Sequence, residues 1–256
     1  MAEPIPRLLH FRISHYNEKV RWALDYKRCP HVRQALVPAF HVPVVRRLTG
    51  QNKVPVVEIA GQTTTDSSRI LAELERLHPD PPLYPSDPDE LARALAIAEY
   101  FDDEVGPELR RIFWSAYLAQ PRAAAAMATA SFGPLTRWSW LLMFPLTRVI
   151  LRANMGIYAD QLAAAHAGIG AHFDRLEAEI GPSGYLVGDS FSIADLSAAA
   201  MLTPIVRPPE FAYLPPEPVP AALDELRAAW AHRPGFRWVL DIYARHRGSS
   251  SEIPAT

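Results

Sequence analysis

The chain has 256 residues, 49% hydrophobic and 21% charged, enough to bury one large or two modest cores. A formal net charge of −2 without a basic run argues against a nucleic-acid partner, and a single cysteine, Cys29, excludes an internal disulfide framework and agrees with a reducing, cytoplasmic setting. The amino terminus shows no basic-then-apolar leader, and the most apolar run, Trp138–Leu146, is interrupted by Pro145 and falls short of the ~20 residues of a bilayer span.

In chain order, Arg7–Ile13 reads as a strand and Tyr16–Arg28 as a helix with Val20, Trp22, Ala23, Leu24 and Tyr26 apolar, leaving Ser14 between them. His31–Val37 alternates as a second strand, and 42–49 predicts a short helix. Strands at 56–59 and about 62–65 follow, then a helix over Ser67–His78 with Ile70, Leu71, Leu74 and Leu77 on one face. The order β-α-β-α-β-β-α predicts a compact mixed sheet covered by helices over 1–80. Pro79–Pro88 is too proline-dense for either element and reads as a linker.

From 88 to 248 the period is helical, with helices expected at 88–118, 158–180, 192–202, 219–231 and 234–246. Between them, 120–156 is an unusual insert, expected to form helical pieces broken at Pro134 and Pro145 that cover a cleft or present an apolar surface. Ser192-Ile-Ala-Asp195 has the form of a capping box, flanked by Phe191 and Leu196 at hydrophobic-staple positions. No His/Cys/Asp/Glu spacing suits a metal, and no glycine-rich loop suits a phosphate.

Lys53-Val-Pro-Val-Val-Glu-Ile59 carries the strongest local signal. Proline cannot donate a ladder hydrogen bond, so Pro55 belongs at a strand mouth, where a cis Val54–Pro55 bond leaves Val54 facing outward. An extended ligand then pairs with the Val54 backbone, its cationic end at Asp66 and the amides starting the Ser67 helix, its anionic end at Lys53. A γ-glutamyl tripeptide has that charge pattern.

Together, Ser14-His-Tyr-Asn-Glu-Lys-Val-Arg-Trp-Ala-Leu24, Lys53-Val-Pro55, Asp66-Ser67 and Gly188-Asp-Ser-Phe-Ser-Ile-Ala-Asp195 make the chain resemble the cytosolic glutathione transferases, serine type. The resemblance covers about 1–118 and 158–246. It implies a thioredoxin-like α/β N-terminal domain that binds glutathione as co-substrate, an all-α C-terminal domain for an apolar electrophile, a homodimer, and a role in detoxification. Ser14 matches the hydroxyl that stabilises the glutathione thiolate, with Asn17 in support. Lys53 matches the partner of the glycyl carboxylate, and Asp66 and Ser67 the γ-glutamyl clamp; His41, in the loop before the 42–49 helix, is either a second contact to that carboxylate or a surface histidine.

A helix N-terminus and a donor hydroxyl both favour thiolate over thiol, so no general base is needed. Tyr16 is a competing donor, and the alternative reading of Ser14 is a plain helix cap. His15 stands where the family usually has proline. The apolar site is expected where the helical half meets Ser14, lined from Tyr100, Phe101, Phe113, Trp114 and Tyr117. Two readings compete with a transferase: a catalytically silent thiol-binding protein of the same fold, and a membrane-associated protein dipping Trp138, Trp140, Leu141, Leu142, Met143 and Phe144 into lipid.

Overall fold

The computed structural model describes residues 5–59 and 61–254. Four short strands, β1 (Arg7–His10), β2 (Val32–Ala35), β3 (Val56–Ile59) and β4 (Gln62–Thr65), form one mixed sheet in the order β2-β1-β3-β4. β1 runs parallel to β2 and antiparallel to β3, which forms an antiparallel hairpin with β4. Alternation along β1 sends successive leucines to opposite faces. Leu8 enters the main core with Val20 and Trp22 of α1 (His15–Tyr26), whereas Leu9 joins Val45 of α2 (Val42–Thr49) and Val56 in a second cluster. With Ile70, Leu71 and Leu74 of α3 (Ser67–Leu77) in the main core, α1 and α3 cover one face of the sheet and α2 the other. This is the expected thioredoxin-like unit, and its strands begin and end within a few residues of the expected positions.

The rest is helical. α4 (Pro88–Tyr100) runs through a π-helical turn at Phe101–Val105 into α5 (Gly106–Leu118). Pro107 has no N–H to offer the Asp103 carbonyl, and the Gly106 N–H bonds back to Phe101, so the single helix expected over 88–118 carries a local widening. The insert folds as α6 (Pro121–Ala128), α7 (Pro134–Leu142) and α8 (Phe144–Met155), with breaks just before Pro134 and Pro145 as expected. Then come α9 (Ala159–Glu179), α10 (Ile193–Met201), the one-turn α11 (Thr203–Val206), which the sequence period does not reveal, α12 (Ala221–Trp230) and α13 (Pro234–His246).

α10 is buried along its whole length, its small residues Ala198–Ala200 allowing close packing on α1 and α4. The capping box forms: Ser192 Oγ accepts from the Ala194 N–H, and the Asp195 carboxylate accepts from the Ser192 and Leu186 amides at 2.9 Å each. Chain segments far apart in sequence meet behind α1. Arg247 bonds Glu18 at 2.6 Å and Asp25 at 2.8 Å, and Trp22 donates to the His246 carbonyl at 2.9 Å. This fastens the end of α13 to the α/β unit, and with it the position of α1.

Candidate functional site

Ser14 closes the β1–α1 turn with extended backbone (φ −76°, ψ 128°), and its Oγ accepts from the Asn17 N–H at 3.4 Å. That is long for a hydrogen bond, so the cap is weak and the hydroxyl proton is free to point elsewhere. Ser14 lines a cavity of about 1480 Å³ between the α/β unit and the helices, and Lys53, Val54, Pro55, Asp66, Ser67, His41 and Phe113 line the same cavity.

Around the strand mouth the backbone is arranged as the sequence suggests. Val54–Pro55 is cis, and among the described residues neither the N–H nor the C=O of Val54 takes part in a backbone hydrogen bond. The Gln51 side chain bonds both the N–H and the C=O of Lys53, bracing the loop while the Lys53 ammonium stays exposed. Across the cavity, Asp66 has φ 73° and ψ 128°, a conformation that costs a non-glycine residue about 1–3 kcal/mol. In it, Asp66 Oδ1 accepts from the Ser68 and Arg69 amides at 3.1 Å each, capping α3, while among the described residues Oδ2 accepts nothing. An exposed carboxylate oxygen and the first turn of α3 thus share the cavity with a lysine and an open backbone edge.

Other residues lie differently. His41 Nε2 donates to the Asn52 carbonyl at 2.9 Å, which leaves Nδ1 a bare acceptor; burial lowers the ring's pKa, so it is neutral. A neutral acceptor is no partner for a carboxylate. Asn17 is fully buried, outside the cavity lining, and neither of its amide atoms has a hydrogen-bond partner among the described residues. Tyr117 is likewise buried outside the lining, its ring 4.8 Å from that of Phe113. The Tyr16 hydroxyl donates to the Asp102 carbonyl at 2.6 Å, and burial raises its pKa, so its proton is already engaged. Gly106 makes room for this contact, since a Cβ there would collide with the Tyr16 hydroxyl.

Two further features stand out beyond the expected residues. Lys19, fully buried, bonds Asp102 and Ser68, and Ser68 donates to Asp102 at 2.7 Å, so one carboxylate ties α1, α3 and the π-helical turn together beside Asp66. Arg110 of α5 lines the cavity with its guanidinium 5.9 Å from the Tyr16 ring centre. It forms no ion pair among the described residues, and its Nε is buried without a partner. Burial first, then Arg110, lowers the neighbouring His15 to about 3, leaving that ring neutral and Arg110 the local cation. The apolar wall comes from Phe113 and Trp114 of α5 together with Ile150, Leu151 and Met155 of α8, so the insert contributes directly to the site.

The cavity therefore joins a zwitterion-matching half, a helix N-terminus with an under-used hydroxyl, and an apolar half containing one unpaired arginine. Among the described residues, no group of three His, Cys, Asp or Glu side chains is placed to hold a metal ion.

Residues 8–82 match the glutathione S-transferase N-terminal domain family and residues 159–217 the glutathione S-transferase C-terminal domain family. A probable maleylacetoacetate isomerase of Caenorhabditis elegans is 48% identical over 100 residues, 38% of this chain and 47% of that protein. Glutathione S-transferase U4 of Arabidopsis thaliana is 31% identical over 104 residues, 40% of this chain and 46% of that protein. The chain thus spans about half the length of the curated relatives it matches. In fold it is similar to a glutathione S-transferase from Methylobacterium radiotolerans solved with glutathione sulfonate: TM-score 0.53, 24% identity, 98% of each chain covered.

Proposed function

The chain belongs to the glutathione S-transferase family, and on that premise we propose that it joins glutathione to an apolar electrophile. The observation that carries the proposal is the cavity that sets the exposed Lys53, the open Val54 edge and the free Asp66 oxygen around Ser14. The glycyl carboxylate pairs with Lys53, the cysteinyl backbone with Val54, and the γ-glutamyl ammonium with Asp66, while its carboxylate meets Ser67 and the α3 N-terminus. Neutral His41 serves by holding Asn52 and the Lys53 loop.

The sulfur then lies at the start of α1. A free thiol with a pKa near 8.5 is only a few per cent ionised at neutral pH. The Ser14 hydroxyl, the α1 dipole and the positive potential of Arg110 all favour the thiolate, the thiol proton passing to water. The sulfur then bonds an electrophilic carbon held against Phe113, Trp114 and α8, as a leaving group such as chloride departs with its electron pair or a polarised double bond opens and takes a proton from water. Asn17 lies buried one turn beyond Ser14, so any part it plays runs through the packing of α1 rather than contact with sulfur.

A cytoplasmic homodimer, with each α/β unit against the partner's helices, and a role in detoxification complete the proposal; a monomer mass in light scattering at micromolar concentration would remove the dimer. The direct test of the site is calorimetric titration with glutathione and with small thiols lacking the γ-glutamyl end. Glutathione should bind and the others should not, and absence of heat with glutathione would overturn the assignment.

A further inference from the structure

The helical period divides the aromatic run of the insert between two faces. Trp140 is fully buried, its Nε1 donating to the Pro38 carbonyl at 3.1 Å and its ring packed on Phe144. These two are therefore structural, correcting the expectation that they dip into lipid alongside their neighbours. Trp138 and Leu142, by contrast, are 70% and 82% exposed. They continue a stripe that runs Leu135, Trp138, Leu142 along α7 and Leu146, Val149, Ile150 along α8, three and four residues apart within each helix. All six side chains are at least 43% exposed, an apolar surface that a freely diffusing protein rarely shows.

Charge distinguishes the possible occupants. Over 119–158 there are four arginines, Arg122, Arg137, Arg148 and Arg152, and no aspartate or glutamate, in a chain whose overall charge is −2. All four are exposed, and none has an ion-pair partner among the described residues. Arg137 on α7 and Arg148 on α8 lie off the apolar stripe by helical phase, Arg152 follows one turn on, and Arg122 stands on the neighbouring α6; stems of this length carry charge to a headgroup layer while the apolar stripe faces the acyl chains. A two-fold contact between two copies would bring this arginine-rich segment to itself, with no carboxylate of the segment to balance its charge. No helix among the described residues is long and apolar enough to cross a membrane.

We propose that α7 and α8 form an interfacial element that docks the protein on the surface of an anionic lipid bilayer. Ile150 belongs both to the exposed stripe and to the cavity wall, so docking brings the apolar half of the cavity to the lipid boundary. Apolar molecules dissolved in the membrane then reach the cavity without crossing water. The docking itself does not depend on the thiol chemistry.

The test is co-sedimentation of the full chain with vesicles of phosphatidylcholine alone and of phosphatidylcholine mixed with phosphatidylglycerol. Wild type should pellet with the mixed vesicles and much less with phosphatidylcholine alone, and added salt should weaken but not abolish binding. Leu142→Glu and Trp138→Glu should each lower partitioning by about tenfold or more. Arg137→Gln combined with Arg148→Gln should lower it only on the anionic vesicles. Because the substituted side chains are exposed, each variant should keep the wild-type melting curve and glutathione titration, which separates failure of docking from failure of the thiol site. The proposal is overturned if wild type stays in the supernatant at low salt or if the glutamate variants pellet like wild type. It is equally overturned if Leu142→Glu halves the mass in solution while no vesicle binding exists, the signature of a protein–protein face.

Discussion

Two helices of this molecule begin with a serine cap, and the two caps are used in opposite ways. At α10, Ser192 is buried; its Oγ accepts from the Ala194 N–H and donates to Asp195, whose carboxylate in turn takes the Ser192 and Leu186 amides. Every polar group at that helix start has a partner inside the protein, and the result is a fixed central helix. At α1 the third residue after the cap is Asn17 instead of an acid, so nothing reaches back, and Ser14 keeps one long contact beside a large cavity. A filled cap stabilises the fold, whereas an open one leaves a hydroxyl and a positive helix end for a ligand.

The sharpest way to break this contrast is Ser14→Ala. Loss of one oriented donor to the sulfur should lower turnover of an electrophile such as a chloronitroarene by ~10²–10³ and raise the kinetic pKa of the bound thiol. Glutathione affinity should change little, because the two charged ends supply it, and stability should fall by no more than about 1 kcal/mol for so weak a cap. Wild-type turnover with an unchanged pH profile would make Ser14 a cap like Ser192, and Arg110 the next candidate.

Asp195→Ala attacks the other helix. It strands the buried Leu186 and Ser192 amides together, and losses of this kind sum to about 3 kcal/mol. Urea unfolding should register that loss, while the glutathione titration of the folded variant stays as in wild type. A variant that lost thiol binding without losing stability would reverse the roles assigned to the two caps.

Elements with a local cause were legible in the sequence: the proline-led β3, the cis Val54–Pro55 bond, the capping box, and the breaks at Pro134 and Pro145. So was the gathering of Ser14, Lys53, Val54, Asp66 and Ser67, through family resemblance. What was not legible depends on which way a helix is rotated when it docks. Asn17 is turned into the core because α1 packs between α3 and α10. The Tyr16 hydroxyl is taken by the Asp102 carbonyl, exposed where the π-helical turn precedes Gly106-Pro107. Arg110 joins the site from 96 residues away, and the sequence offers only an arginine pair, Arg110-Arg111, with nothing to show which one turns inward. The strain at Asp66 is likewise invisible in a residue type favoured at caps anyway.

Asp66 combines both behaviours in one residue, one oxygen filling the α3 cap and the other open to the cavity, so Asp66→Asn sharpens the comparison. The amide keeps an oxygen for the Ser68 and Arg69 amides and removes only the charge. Glutathione binding should weaken by about 1.5–3 kcal/mol, the range for a charged hydrogen bond, with the melting temperature nearly unchanged. Equal affinity in calorimetry would move the ammonium end of the ligand elsewhere.

The smallest effect is a pH dependence that only the filled cap should show. Burial raises the Asp195 carboxyl from its ordinary value to about 6, and the bonds from Leu186 and Ser192 only partly offset this. A folded-state pKa above the unfolded one means that between about pH 4 and 6 the native protein holds a proton the unfolded chain has released. Stability from this group is therefore fully present below the unfolded pKa and declines as pH rises through 6, by at most about 1.4 kcal/mol per unit. Asp25 acts in the opposite direction: burial alone would raise it, but Arg33 and Arg247 outweigh that and hold it below the carboxylate range, so acid weakens its contribution. Asp195→Asn does not titrate at this position and keeps every other group, so Asp25 cancels when the two proteins are compared. Urea unfolding of wild type and variant from pH 4 to 7 should give curves that diverge toward acid in favour of wild type. Parallel curves would mean that the hydrogen bonds of Asp195 balance its burial and leave its pKa at the unfolded value, and that the α10 cap is as indifferent to pH as the serine cap of α1.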